Sequence, residues 1–278
     1  MSAPRDPDET VRVASDGAEV EAPAGQAVTA VLEEGEQVAA VARDGEWADA
    51  EYGDADFDHP DTRPRMRGWL HLFAAFGSVV AGAVLIPLAW VHGGVRAGLP
   101  VSIYCLTILG LFGISAAYHR RRWSPRGWKI MKRLDHSMIF LFIAGTYTPF
   151  AALAVPYPTN WWIFGIVWTG ALAGVGLKMA WPTAPRWLGV PIYLALGWVA
   201  VFVLVDILDL AGVTAMVLLA AGGLLYSVGA VAYATKKPNP WPGVFGYHEV
   251  FHAMTIVAAA CHYIAVYFAI YNSPFLQR

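Results

Sequence analysis

WLHLFAAFGSVVAGAVLIPLAWV, residues Trp69–Val91, runs for 23 positions without an Asp, Glu, Lys or Arg. A helix rises 1.5 Å per residue, so crossing the ~30 Å hydrocarbon core of a bilayer takes ~20 mostly apolar residues. This stretch is long enough to do so. Six further stretches have the same character: Val101–Tyr118, Asp135–Val155, Asn160–Leu177, Leu188–Val205, Val213–Ala234 and His248–Ile270. Together they predict an all-α membrane protein, a bundle of seven transmembrane helices with short connections. Trp90, Trp123, Tyr157, Trp161, Trp162, Trp181, Trp187 and Trp241 fall near the ends of these stretches. Aromatic side chains with a polar tip collect at that depth, at the level of the headgroups.

The composition agrees. Of the 278 residues 57% are hydrophobic and 14% charged, with a mean hydropathy of +0.47; an ordinary soluble domain is about 25% charged. The acidic residues are unevenly spread. Seventeen of the 21 lie in the first 61 positions, and only Asp135, Asp206, Asp209 and Glu249 lie beyond. The net charge of −2 is thus the sum of an acidic front and a basic membrane part. Cys105 and Cys261 sit in apolar runs and read as packing residues, not as a disulfide or metal motif. The N-terminus has no apolar run of the kind that marks a secretory signal.

Lys and Arg in short loops set orientation, because they stay on the cytoplasmic side. With the N-terminus inside, the inner segments hold fourteen basic residues: Arg63, Arg65, Arg67, the seven from Arg120 to Arg133, Lys178, Arg186, Lys236 and Lys237. The outer segments hold Arg96 and Arg278. The chain is therefore expected in the plasma membrane with its N-terminus cytoplasmic and its C-terminus outside. The basic run reads as this orientation signal, with anionic headgroups as contacts; it does not point to nucleic acid.

Residues 1–52 form an acidic N-terminal extension and 53–66 a linker; the membrane domain covers 67–272. VRVASDGAEVEAPAG predicts two strands around an Asp16-Gly17 turn, QAVTAVLEEGEQ a short helix, and VAAVARDGEWADAEYG a second strand pair. That order resembles a TGS-type β-grasp module. The competing reading is a disordered acidic tail.

Ionisable residues inside membrane segments are costly and point to function. The second stretch ends Ser115-Ala-Ala-Tyr-His119, the third begins Asp135-His136-Ser137 and the seventh begins His248-Glu-Val-Phe-His252. Ser115 and His119 are four residues apart and share a helix face, as do His248 and His252. An imidazole pair at that spacing can reach one ion. With the orientation above, the second stretch ends at the cytoplasmic face and the third and seventh start there. His119, Asp135, His248 and His252 then share one layer. Three neutral imidazoles with a carboxylate or water suit Zn2+ in tetrahedral geometry. Asp135 is the candidate for holding or deprotonating water, and Ser115 for hydrogen-bonding the water or a substrate oxygen.

Ser-x3-His at the end of the second stretch, Leu134–Pro149 (LDHSMIFLFIAGTYTP) and His248–Tyr263 (HEVFH followed by CHY) together resemble the hemolysin III family. These are the bacterial relatives of the adiponectin and progestin receptors, the PAQR proteins. The resemblance covers about residues 63–270 and leaves the acidic extension outside. It implies seven helices with the N-terminus inside and zinc bound by His119, His248 and His252, with Asp135 and Ser115 matching the family's aspartate and serine. The wider superfamily includes alkaline ceramidases, which implies hydrolysis of lipid amides or esters.

Other polar residues carry plainer expectations. His136 is turned about 100° from Asp135 and reads as supporting or structural. Glu249 faces away from the histidine pair, toward a basic loop. His262, ten residues past His252, reads as a hydrogen-bonded packing residue. His71, near the cytoplasmic end of the first stretch, could approach the site but reads rather as interfacial, His59 and His92 read as loop residues, and Asp206 and Asp209 as a solvated helix end. Thr146, Tyr147, Thr148 and Pro149 read as a kink in which threonine hydroxyls compensate for the missing proline N–H, with lining a substrate site as the lesser reading. The function expected is a zinc-dependent hydrolase of membrane lipids. The competing reading is a receptor or regulator with structural zinc, and a third is a pore-forming hemolysin, against which the apolar outer half of the bundle speaks.

Overall fold

The computed structural model describes residues 10–15, 18–23, 64–181 and 184–276. The chain divides into two units, Met1–Phe57 and Asp58–Arg278. In the first, β1 (Thr10–Ser15) and β2 (Ala18–Pro23) pair antiparallel, with Val13 opposite Val20. This is the strand pair expected around Asp16-Gly17. The expected short helix, the second strand pair, the linker up to residue 63 and His59 lie outside the described residues.

The second unit is helical. Its elements are α1 (Trp69–Arg120), α2 (Pro125–Leu153), α3 (Thr159–Ala180), α4 (Arg186–Gly197), a 3-10 stretch (Trp198–Val203), α5 (Leu204–Ala211), α6 (Val213–Thr235) and α7 (Tyr247–Asn272). At 52 residues α1 has ~78 Å of helical rise, more than twice the hydrocarbon core. It is two helices, broken at Gly94, where φ is 52° and ψ −140°. The arms run antiparallel. The Arg120 guanidinium lies 3.5 Å from the centre of the Trp69 ring, His71 meets Phe112, and Trp90 Nε1 donates to Ser102 Oγ at 3.4 Å. The α1 arms, α2, α3, the run from α4 to α5, α6 and α7 make seven spans among the described residues. Each of the six continuous helical runs is long and apolar enough to cross a membrane, and α1, at 52 residues with its break at Gly94, is long enough to do so twice. Apolar side chains such as Phe73, Phe76, Val80, Leu106 and Phe202 are exposed on the outside, where lipid is their solvent. The main core cluster contains Leu85, Tyr104, Phe140, Leu153, Val167, Ile207 and Val266, and a smaller one holds Val190, Ala230 and Tyr233.

The φ/ψ pair at Gly94 is one that only glycine adopts at low cost. Gly94→Ala is expected to destabilise the bundle by about 1–3 kcal/mol. Gly113→Ala, inside a helix with open space where the added methyl would sit, is the near-neutral control. Thermal unfolding of the two purified variants checks this; equal stability would show that the break does not depend on glycine.

Two boundaries differ from expectation. α2 starts at Pro125, not Asp135, because Ser124 caps it, accepting from Gly127 N at 3.2 Å, with proline in the first turn. The basic run therefore lies largely on helix, and Asp135 is three turns inside it. The fifth span runs on to Ala211 through the 3-10 stretch. Backbone groups within a membrane need partners, and Tyr147 supplies them: its hydroxyl accepts from Ala200 N and donates to the carbonyl of Gly197. Asp206 and Asp209 lie in α5, the first half-buried and the second exposed. Thr146 and Thr148 donate to the carbonyls of Phe142 and Ala144, both at 2.8 Å, one turn before Pro149.

Candidate metal centre

The start of α7 is shaped by its own sequence. Gly246 N donates to Glu249 Oε2 at 2.8 Å, so Glu249 caps the helix it belongs to. Its other oxygen, Oε1, accepts from Arg67 Nε at 2.5 Å, and the side chains are 1% and 8% exposed. The expected basic contact of Glu249 is thus Arg67, in the segment leading into α1. That segment also pairs by backbone with the loop before α7: Arg65 N donates to Gly243 O at 3.0 Å and Met66 N to Val244 O at 3.1 Å. The entry to α1 and the entry to α7 are tied together there.

This tie sets the histidines side by side. Gly68, at φ 77°, passes so close to the end of α1 that a methyl there would stand 2.9 Å from His119 Cβ. The rings of His119 and His248 have centroids 4.8 Å apart, His119 and His252 5.2 Å, and His248 and His252 4.6 Å. One ligand nitrogen from each of the three lies within 4.8 Å of the others. Tetrahedral bonds of about 2.0–2.1 Å place such nitrogens about 3.4 Å apart. The cluster is therefore close to a metal geometry, and small side-chain rotations complete it. His119 and His252 are buried and His248 is half-buried, so an ion there is largely shielded. These three residues could hold a metal ion.

Ser115 is buried and donates to the Asp135 carboxylate. Both line a cavity that also borders His252. Ser115 and Asp135 thus lie together and beside the cluster. His136 turns away, its Nδ1 on Lys132 O at 2.8 Å, with Nδ1 3.9 Å from Asp135 Oδ2.

His71 takes the less favoured of its two expected places, beside the site. It is 3% exposed, not interfacial, and its ring stacks on His252 with centroids 3.7 Å apart and planes 7° from parallel. Phe112 closes its other side at 5.0 Å. The signal was present: His71 is two residues into the first span, at the level where the second ends. His92 lies in α1 against Tyr271, with centroids 4.6 Å apart, and not in a loop. His262 bonds through Nε2 to Leu219 O at 3.1 Å, as a packing residue does. Cys105 and Cys261 are free.

The cavity extends from Asp135, Ser115, His71 and His252 into the bundle between α2, α4 to α6, and α7. Its walls are mostly apolar, among them Phe142, Phe150, Ile207 and Leu219. Thr146 and Tyr147, read from sequence as kink residues, line it as well.

Known proteins match this chain in sequence. The sequence model of the family described as "Haemolysin-III related" matches residues 61–263. "Hemolysin-3" of Bacillus cereus is 30% identical over 198 residues, which is 71% of this chain and 87% of that protein. The "Hemolysin-3 homolog" of Bacillus subtilis (strain 168) is 28% identical over 200 residues, 72% of this chain and 91% of that one. "Heptahelical transmembrane protein ADIPOR2" of Oryza sativa subsp. japonica is 31% identical over 188 residues, 60% and 80% of the respective chains. The matched region takes in every span but the end of α7, and with it all four clustered histidines, Ser115 and Asp135; this multi-pass membrane protein belongs to the haemolysin III family.

Proposed function

We propose that the protein is a zinc-dependent hydrolase of lipid amide or ester bonds, working in the plasma membrane with its N-terminus cytoplasmic. One observation carries the reading: a three-histidine cluster reaches, through His252 and beside a Ser115–Asp135 pair, the wall of an apolar cavity within the bundle. An ion held by three histidines supplies Lewis acidity and lowers the pKa of water towards ~7. The chain's own groups do the rest. Asp135 holds water by hydrogen bonding and takes its proton. Ser115, bonded to Asp135, fixes the carboxylate's direction. The apolar walls receive the lipid chain and keep bulk water out. Three-histidine donor sets suit zinc among the common divalent ions.

The alternative is a receptor or regulator in which the ion is structural. Asp135→Asn separates the two. Under the hydrolase reading it lowers turnover by at least ~100-fold, the scale of general-base loss, while metal content stays. The check is a mass-spectrometric screen of ceramides, acyl esters and other amide lipids incubated with purified, metal-loaded protein. No turnover of any lipid by the unaltered protein would end the hydrolase reading. Orientation has its own test. Reporter fusions after Arg126 and Lys237 are expected to report cytoplasm, and one at Arg278 the opposite side. A cytoplasmic C-terminus would overturn the proposed orientation.

A further inference from the structure

About 15 Å along α7 from His252, ten residues on, the same cavity reaches His262. There the wall is polar. His262 is 7% exposed, and its Nδ1 is buried with no hydrogen-bond partner. Because Nε2 faces the carbonyl of Leu219, it carries the proton, and Nδ1 is left as an acceptor. The ring of Tyr226 meets that of His262, with centroids 5.3 Å apart, and its hydroxyl is likewise buried without a partner. Both residues line the cavity.

Other hydroxyls in the same wall have their protons committed. Thr146 donates to Phe142 O, Thr255 to Phe251 O and Ser227 to Gly223 O. The His262–Tyr226 pair is different, and the helices are shaped around it. Gly222 of α6 stands where a methyl would come within 2.4 Å of the His262 ring. Two unpaired polar atoms inside a membrane bundle are costly to keep. An acceptor nitrogen beside a donor hydroxyl is what a third hydroxyl needs, since it can donate to one and accept from the other.

We infer that the cavity takes an acyl chain bearing a mid-chain hydroxyl, which binds between His262 Nδ1 and the Tyr226 hydroxyl. The chain's reacting end lies at the histidine cluster. An extended chain advances roughly 1.2 Å per bond, on the scale of ~3.5 Å per three-bond residue. The 15 Å separation therefore places the hydroxyl about twelve carbons from the reacting end. This rests on the reading of the cavity as a lipid-chain site, and it narrows the substrate to hydroxylated acyl lipids.

The test is a binding competition. Detergent-solubilised, metal-loaded protein is incubated with equal amounts of stearic, 2-hydroxystearic and 12-hydroxystearic acid. The retained acids are quantified against empty micelles. The unaltered protein is expected to retain 12-hydroxystearate over stearate by about tenfold, the scale of two net hydrogen bonds, with no gain for the 2-hydroxy acid. Tyr226→Phe and His262→Leu are expected to bring the ratio near one while still retaining stearate. Tyr226→Phe removes a single oxygen and serves where His262→Leu does not fold. A ratio near one in the unaltered protein, as when water fills the site, overturns the inference; so does an unchanged preference in Tyr226→Phe. The readout is binding, not turnover. A protein that hydrolyses nothing yet keeps the preference refutes the hydrolase alone. One that hydrolyses lipids without the preference refutes the hydroxyl site alone.

Discussion

His119→Ala, His248→Ala and His252→Ala are each expected to lose bound metal, with affinity falling by more than the ~10–100-fold that changes to a ligand's supporting residues cost. The three nitrogens lie within 4.8 Å of one another, and two imidazoles leave an ion poorly enclosed. His262→Ala is expected to keep full occupancy, since its ring is on α7 ten residues away and bonded to Leu219 O. Asp135→Ala is expected to lower occupancy less than any of the three if it holds the water, and as much if it ligates directly. His71→Ala sharpens the picture, because it removes the ring stacked on His252 without removing a proposed ligand. Its effect is expected to fall between those of the ligands and of His262. Metal per protein, measured by elemental analysis on monodisperse variants, decides. Full retention in the His248→Ala, His252→Ala double variant would dismiss the site.

The second large effect concerns stability. Glu249→Ala is expected to cost about 3–5 kcal/mol, because it takes the carboxylate from the Arg67 guanidinium, whose side chain is 8% exposed, and also removes the cap on α7. Glu249→Gln keeps an acceptor for both partners and is expected to cost less. Replacing both residues, Arg67→Met with Glu249→Leu, is expected to cost less than Glu249→Ala alone, since no unpaired charge is left. Thermal unfolding in detergent measures all three. If Glu249→Ala melts within a degree or two of the unaltered protein, the pair is not what ties the entries of α1 and α7 together.

The spans were legible because lipid leaves the backbone few choices. A polar backbone group without a partner is too costly there, so an apolar run of ~20 residues must be a helix. The first and last residues of α6 and α7 fall within two residues of expectation for that reason. The hairpin Thr10–Pro23 was legible from alternation around Asp16-Gly17. The start of α2 was not. Hydropathy reports where a helix enters lipid, whereas Ser124-Pro125 marks where the helix begins, and the basic residues between belong to the helix without belonging to the apolar span. The 3-10 stretch Trp198–Val203 was hidden too, because its partner, Tyr147, is some fifty residues away.

For the site, spacing alone placed His248 beside His252 and Ser115 on the face of His119, since a helix repeats every 3.6 residues. The topology then put both pairs at one end of the bundle. Sequence thus determined the fold class, the span count and the candidate ligand residues. Tertiary structure decided the rest: the stacking of His71 on His252, the Arg67–Glu249 tie, the Ser115–Asp135 contact and the meeting of His262 with Tyr226. Three of these join different helices, the Arg67–Glu249 tie joins α7 to the segment before α1, and all depend on how the helices are rotated about their axes. In a bundle whose outer surface and core are both apolar, hydropathy does not report that rotation; close packing and the pairing of buried polar groups set it.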